Sequence, residues 1–164
     1  MKRVIASITV MSVLAGCATI AEQSSIERNK DIARQFYEDL WFSNNTDAYA
    51  DYVADTYVVH DVGPVKGVTE TAIKQKEIAD VFHSFGELSG EIDYQIAEGD
   101  KVATRWFVKL EPSAEALEMG MTAVDGVAII NVFRFDEAGK IVEIWNHRHD
   151  VDLPRPPEGY RGVE

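Results

Sequence analysis

Asn146-His147-Arg148-His149-Asp150 is a dense run of ionisable and hydrogen-bonding side chains at the end of an otherwise apolar stretch. Extended backbone alternates its faces. His147 and His149 would therefore share one side and Asn146, Arg148 and Asp150 the other, unless a bulge shifts the alternation. An imidazole, with an unperturbed pKa of about 6.5, can take and return a proton at neutral pH once a carboxylate or carbonyl fixes its tautomer. Asp150 or Asp61 could orient such a histidine, and Asp150 is itself a candidate base. His147 and His149, with His60 or Asp150 nearby, would form a two-histidine, one-carboxylate metal set only if they converged. The ordinary reading of the run is a solvated strand end. His83, among Val81, Phe82 and Phe85, reads as structural. Tyr37, Trp41, Tyr57, Trp106 and Phe133 could line a pocket for a flat or apolar ligand, or simply fill the core. The chain has no Ser-His-Asp elbow, phosphate loop or Gly-rich dinucleotide fingerprint.

These side chains must be held by a scaffold that the hydrophobic spacing outlines. Ser24 and Glu27 suggest a capping box, and Ile32, Phe36 and Leu40 recur at helical spacing, so a helix is expected from Glu27 to Phe42. Asn44-Asn45 breaks it, and Thr46-Asp47 opens a second, short helix. A strand is expected at Thr56 to Asp61, then a third helix opening at Thr69 with Ile73, Ile78, Val81, Phe82 and Phe85 inward. From Glu91 the period changes to two. Ile92, Tyr94 and Ile96 alternate on one strand, and Val102, Thr104, Trp106, Val108 and Leu110 on the next. A small helical piece at Ala114 to Met119 precedes two long strands, Val127 to Phe135 and Lys140 to about Asp150. Helices followed by a meander predict an α+β domain whose antiparallel sheet curls round the helices.

The 164 residues, 46% hydrophobic and 27% charged, suit one globular domain and exclude disorder and repeat arrays. A net charge of −12 with no basic stripe excludes nucleic acid as a partner. Lys2 and Arg3 precede an apolar run, Val4 to Val13, that is shorter than the roughly 20 residues a spanning helix needs. The layout is that of a signal peptide over 1–16. Leu14-Ala15-Gly16-Cys17 resembles the bacterial lipobox, which makes Cys17 the lipidation site. Residues 17–26 would form the lipidated tether, 27–152 the domain and 153–164 a Pro-rich tail. Cys17 is the only cysteine, so no disulfide can form within the domain. Ala18, where the resemblance to lipoproteins places aspartate in inner-membrane proteins, implies an outer-membrane anchor facing the periplasm.

The order of elements resembles the nuclear-transport-factor-two-like cone fold, and the motifs resemble its SnoaL-like polyketide cyclase branch over about Asn29 to Asp150. The motifs are Phe36-Tyr37, Tyr57-Val58-Val59-His60 with Gly67, Gly99-Asp100 before Val102, and Phe133-Arg134-Phe135 leading into Gly139-Lys140-Ile141-Val142-Glu143-Ile144-Trp145. The resemblance implies a deep apolar pocket and acid-base chemistry on a carbonyl compound, such as aldol cyclisation, without metal or organic cofactor. It also implies that the first strand faces the pocket, which would aim His60 inward as base or polariser. Asn146, His147, His149 and Asp150 would supply the rest of the site. Where many relatives carry an acid after the last-strand tryptophan, this chain has Asn146, and an amide cannot take a proton. Trp145 would lie on the outer sheet face, through which relatives form dimers. Two readings remain: a cofactor-free cyclase or isomerase, and a non-catalytic ligand-binding or partner-binding envelope module of the same fold.

Overall fold

The computed structural model describes residues 11–60 and 66–148. Asp61, His149 and Asp150 lie outside them. The helices are α1 (Met11–Tyr37), α2 (Tyr49–Tyr52), α3 (Ile73–Ser84) and α4 (Ala114–Glu118). The strands are β1 (Val53–His60), β2 (Val68–Thr71), β3 (Gly86–Glu98), β4 (Lys101–Pro112), β5 (Val124–Phe135) and β6 (Ile141–Arg148). They form one curved sheet in the order β2-β1-β6-β5-β4-β3, antiparallel except where β1 runs beside β6. This is the α+β cone the sequence predicts. Among the described residues, no helix is long and apolar enough to cross a membrane.

The first helix starts earlier than expected, so Ser24 lies inside it rather than at a cap, and Cys17 falls within its range. Good helix formers such as Ala18, Ala21, Glu22 and Gln23 carry the helix through. Its last turn widens into a π-helical turn at Glu38–Phe42. Ala33, Phe36, Tyr37 and Leu40 from this segment are buried against Tyr57, Val102, Trp106, Phe133, Phe135, Ile141 and Ile144 from the sheet. The expected opening of the third helix at Thr69 is instead the edge strand β2, whose four residues pair with β1 and are too few to show an alternation. In α3 the fully covered residues are Gln75 and Ala79. Ile73, Ile78 and Val81 are exposed rather than core.

Gly86 and Gly90 lie in β3, which begins two residues after α3 ends. A Cβ on Gly90 would overlap both the Phe107 carbonyl and the Phe42 ring, so the close approach of the π-helical turn to β3 depends on that glycine. A register shift between Ile92 and Tyr94 explains a second departure. Leu88, Gly90 and Ile92 face the helices, but the extra residue hands the inward positions to Gln95 and Ala97. Tyr94 and Ile96 are thereby turned outward, 49% and 65% exposed.

Candidate functional site

Between the helices and the inner face of the sheet lies a cavity of about 420 Å³. Its wall is mostly apolar. Phe36, Tyr37 and Trp41 from α1 and the π-helical turn face Trp106, Ile129, Phe133 and Ile144 from the sheet, and Ile78 and Phe82 of α3 close another side. The rings brace one another: Tyr37 stacks on Phe133 at 5.6 Å, Trp106 lies 5.1 Å from Tyr37, and Trp41 lies 5.6 Å from Trp106. Four of the five expected aromatic lining residues, Tyr37, Trp41, Trp106 and Phe133, therefore contact the cavity. Tyr57 is buried behind it and reaches the wall through its hydroxyl partners.

Two polar stations interrupt this wall. The first is built on β5 and β6. Trp106 Nε1 and Tyr37 Oη both donate to Asn131 Oδ1 at 2.8 Å, and Asn131 Nδ2 donates to Asn146 Oδ1 at 2.7 Å. The direction of this chain is forced, because an indole N–H can only donate. Burial pushes the Tyr37 phenol well above its ordinary pKa, so it too remains a donor. Asn131 must therefore turn its oxygen toward both rings and its amino group toward Asn146. Asn146 then spends its oxygen on Asn131 and keeps its Nδ2 without a protein partner among the described residues, at the cavity wall where the residue is itself exposed. The station presents hydrogen-bond donors.

The second station is built on β1, β2 and α3. Gln75 Nε2 donates to Tyr57 Oη at 2.7 Å, and Tyr57 Oη donates to Glu70 Oε2 at 2.8 Å. Burial, more than any other influence, holds the Tyr57 phenol far above its ordinary pKa. The Gln75 hydrogen bond works against this and the Glu70 carboxylate reinforces it. This chain ends on a carboxylate, so the station presents an acceptor. Glu70 is the only carboxylate among the described lining residues.

Strand register separates the two stations. Glu70 pairs with Tyr57 on β1, Val59 pairs with Ile144 on β6, and Asn146 lies two residues beyond Ile144. Two strand spacings across and four residues along give about 16 Å between the Glu70 and Asn146 Cα atoms. The apolar side chains of Val59 and Ile144 line the wall between them.

His60 does not face this cavity. Tyr57 and Val59 are the buried positions of β1, so alternation turns Val58 and His60 to the other side of the sheet. There the His60 ring stacks on Trp145 at 4.3 Å, within 3° of parallel. Its Nδ1 lies 3.1 Å from the Lys66 carbonyl oxygen and its Nε2 lies 2.6 Å from Glu143 Oε2. Both partners are acceptors, so each ring nitrogen of His60 faces an acceptor on the outer face. Burial would raise the Glu143 carboxyl, but hydrogen bonds from His60 and Arg134 and their charges overcome this and hold it below its ordinary value. His147 is exposed on the same outer face, because Ile144 and Asn146 take the inward positions of β6. His83 donates from Nε2 to the Leu40 carbonyl at 2.8 Å, a structural role. Of the expected acid-base residues, only Asn146 reaches the cavity among those described.

Asn131, Glu70 and Gln75 were not anticipated. Asn131 had a visible signal, a polar residue at an inward position between Ile129 and Phe133. Glu70 and Gln75 had none, since their meeting depends on β2 pairing with β1.

The model of the SnoaL-like polyketide cyclase family matches residues 31–155. The chain belongs to that family. Similar solved structures agree on the fold. A protein from Acidithiobacillus ferrooxidans with a provisional polyketide cyclase name is 23% identical over 75% of this chain and 89% of its own, with a TM-score of 0.59. SalBIII, described as an epoxide hydrolase/cyclase-like enzyme in pyran ring formation of salinomycin, is 18% identical over 77% of this chain and 94% of its own, at 0.59. A cystatin-fold protein from Novosphingobium aromaticivorans is 17% identical over 73% of this chain and 97% of its own, at 0.60. No curated protein matches the chain. The family binds small organic ligands generally, and this chain has a largely apolar cavity of about 420 Å³.

Proposed function

We propose that this SnoaL-like protein holds a small, largely apolar molecule in its cavity and receives the molecule's carbonyl oxygen on Asn146 Nδ2. The observation that carries this reading is the one-way chain from Trp106 and Tyr37 through Asn131 to Asn146, which leaves a directed donor at an apolar wall. An oriented amide donor beside aromatic side chains suits a neutral acceptor and offers little to an ion.

Holding without turnover is favoured over cofactor-free aldol cyclisation or isomerisation. Removing a proton next to a carbonyl needs a base within hydrogen-bond reach of that carbon. Asn146 stands where an acid is expected, and Glu70 is about 16 Å away by strand geometry. Among the described lining residues, none close to Asn146 could serve as that base.

The test titrates a medium-chain methyl ketone into wild type and Asn146→Ala, following the fluorescence of Trp41 and Trp106. A loss of about tenfold in affinity in the variant, from one directed hydrogen bond, is expected. Equal binding of the ketone and the corresponding alkane to wild type would overturn the reading. Proton exchange next to the ketone carbonyl in deuterated buffer, faster than the buffer alone supports, would restore the catalytic reading.

The protein's location belongs to the same proposal. The charged, apolar and small-residue order of Lys2 to Cys17 supports lipidation at Cys17 and an outer-membrane anchor facing the periplasm. Metabolic labelling with a palmitate analogue, abolished in Cys17→Ser, is the expected result. Tyr94 and Ile96 on the outer sheet face support a homodimer there, to be checked by sedimentation.

A further inference from the structure

Resting on the carbonyl-binding reading, we infer that the ligand is elongated and bipolar, with an accepting oxygen at one end and a hydroxyl donor at the other, received by Glu70. The two stations have opposite hydrogen-bond sense. At β6 the chain of donors runs outward from the buried rings and ends on the Asn146 amino group. At β2 it runs from Gln75 through Tyr57 and ends on the Glu70 carboxylate.

Glu70 Oε2 is occupied by Tyr57, whereas Oε1 has no hydrogen-bond partner among the described residues. A carboxylate on an otherwise apolar wall needs donors to offset the loss of water, and a ligand hydroxyl supplies one. Gln75 is buried and fixes the Tyr57 oxygen, so the acceptor's direction is set by the protein before any ligand arrives. Between the stations the wall is apolar, with Val59 and Ile144 on the sheet and Ile78 and Phe82 on α3. A compact ligand touching Asn146 would leave Glu70 facing water or empty space. A molecule with an apolar middle and two oxygens of opposite hydrogen-bonding sense satisfies both ends.

The experiment compares two probes on the intact protein: a straight-chain methyl ketone of about ten carbons, and the same ketone bearing a terminal hydroxyl at its far end. The hydroxylated probe is expected to bind about tenfold more tightly to wild type. In Glu70→Gln, which keeps the side chain's size, that advantage should shrink to a factor of about two. Equal binding of the two probes to wild type overturns the bipolar ligand while leaving the carbonyl reading intact. Failure of both probes to bind overturns both. An advantage that survives undiminished in Glu70→Gln, with the variant's melting temperature unchanged, also overturns the inference, because the hydroxyl would then be received elsewhere.

Discussion

Across β1 and β6, residues that are neighbours in sequence serve opposite faces of one sheet, and the two faces solve polarity differently. Inside, Asn146 and Asn131 form a neutral chain of amides among aromatic rings. Outside, one position away, His60, Trp145 and Glu143 join Arg134 in a charged cluster. A buried charge costs several kcal/mol unless paired, whereas a neutral amide needs only its hydrogen bonds. Along β5 and β6 the charged groups therefore pair with one another on the outer face, and Glu70 of β2 is the one carboxylate on the described cavity wall. The side chains most suggestive of chemistry in the sequence stabilise the outer face, and the ligand wall is made from side chains that look ordinary.

The largest expected effect comes from emptying the inner chain. Asn131→Ala leaves Tyr37 Oη and Trp106 Nε1 buried without their acceptor, at about 1–3 kcal/mol for each donor. Urea unfolding should show a loss of that order together with loss of ketone binding. If the variant proved as stable as wild type, the inner face would not depend on its amides and the contrast with the outer face would collapse. Gly90→Ala should cost about 1–3 kcal/mol, because the new methyl overlaps the Phe107 backbone carbonyl as well as the Phe42 ring that packs beside Trp106. Its thermal midpoint should fall more than that of Gly99→Ala. At Gly99 the added carbon meets nothing, and only the left-handed backbone opposes it.

On the outer face the effects are smaller and separable from the ligand. His60→Ala removes two hydrogen bonds and a ring stack from a partly exposed position and should cost about 1–2 kcal/mol. Ketone affinity should stay within a factor of about two. A tenfold loss of binding would mean that His60 communicates with the cavity after all. The smallest effect is one of pH. Glu143 has a folded pKa below its ordinary value of 4.5, so its contribution is complete above about pH 4.5 and is lost as pH falls through the folded value. Glu143→Gln should flatten that part of the acid limb in stability measured from neutral pH downward. An unchanged acid limb would place the acid sensitivity elsewhere.

Much of the fold can be read in the chain. The alternation from Val102 to Leu110 names the buried face of β4, and the structure agrees, apart from Val108, which is only partly covered. The helical spacing of Ile32, Phe36 and Leu40 names the core side of α1. Less could be read of the site. The family resemblance aims His60 inward, yet the buried residues Tyr57 and Val59 take that direction. The same kind of error reversed Tyr94 and Ile96, where one extra residue inverted the strand.

The sequence by itself determined the order of elements apart from β2, four of the five expected lining aromatics and the amide at the end of β6, because these follow from local periodicity and residue type. Only the tertiary structure decided which face each polar residue serves. In a strand the side-chain period is two, so a bulge or a one-residue change in pairing sends a side chain to the opposite side. The pairing of β2 with β1 and of β1 with β6 brings Glu70 and Asn146 to one cavity and turns His60 away from it. Those pairings join residues far apart in the chain, and no local pattern in either strand encodes its partner.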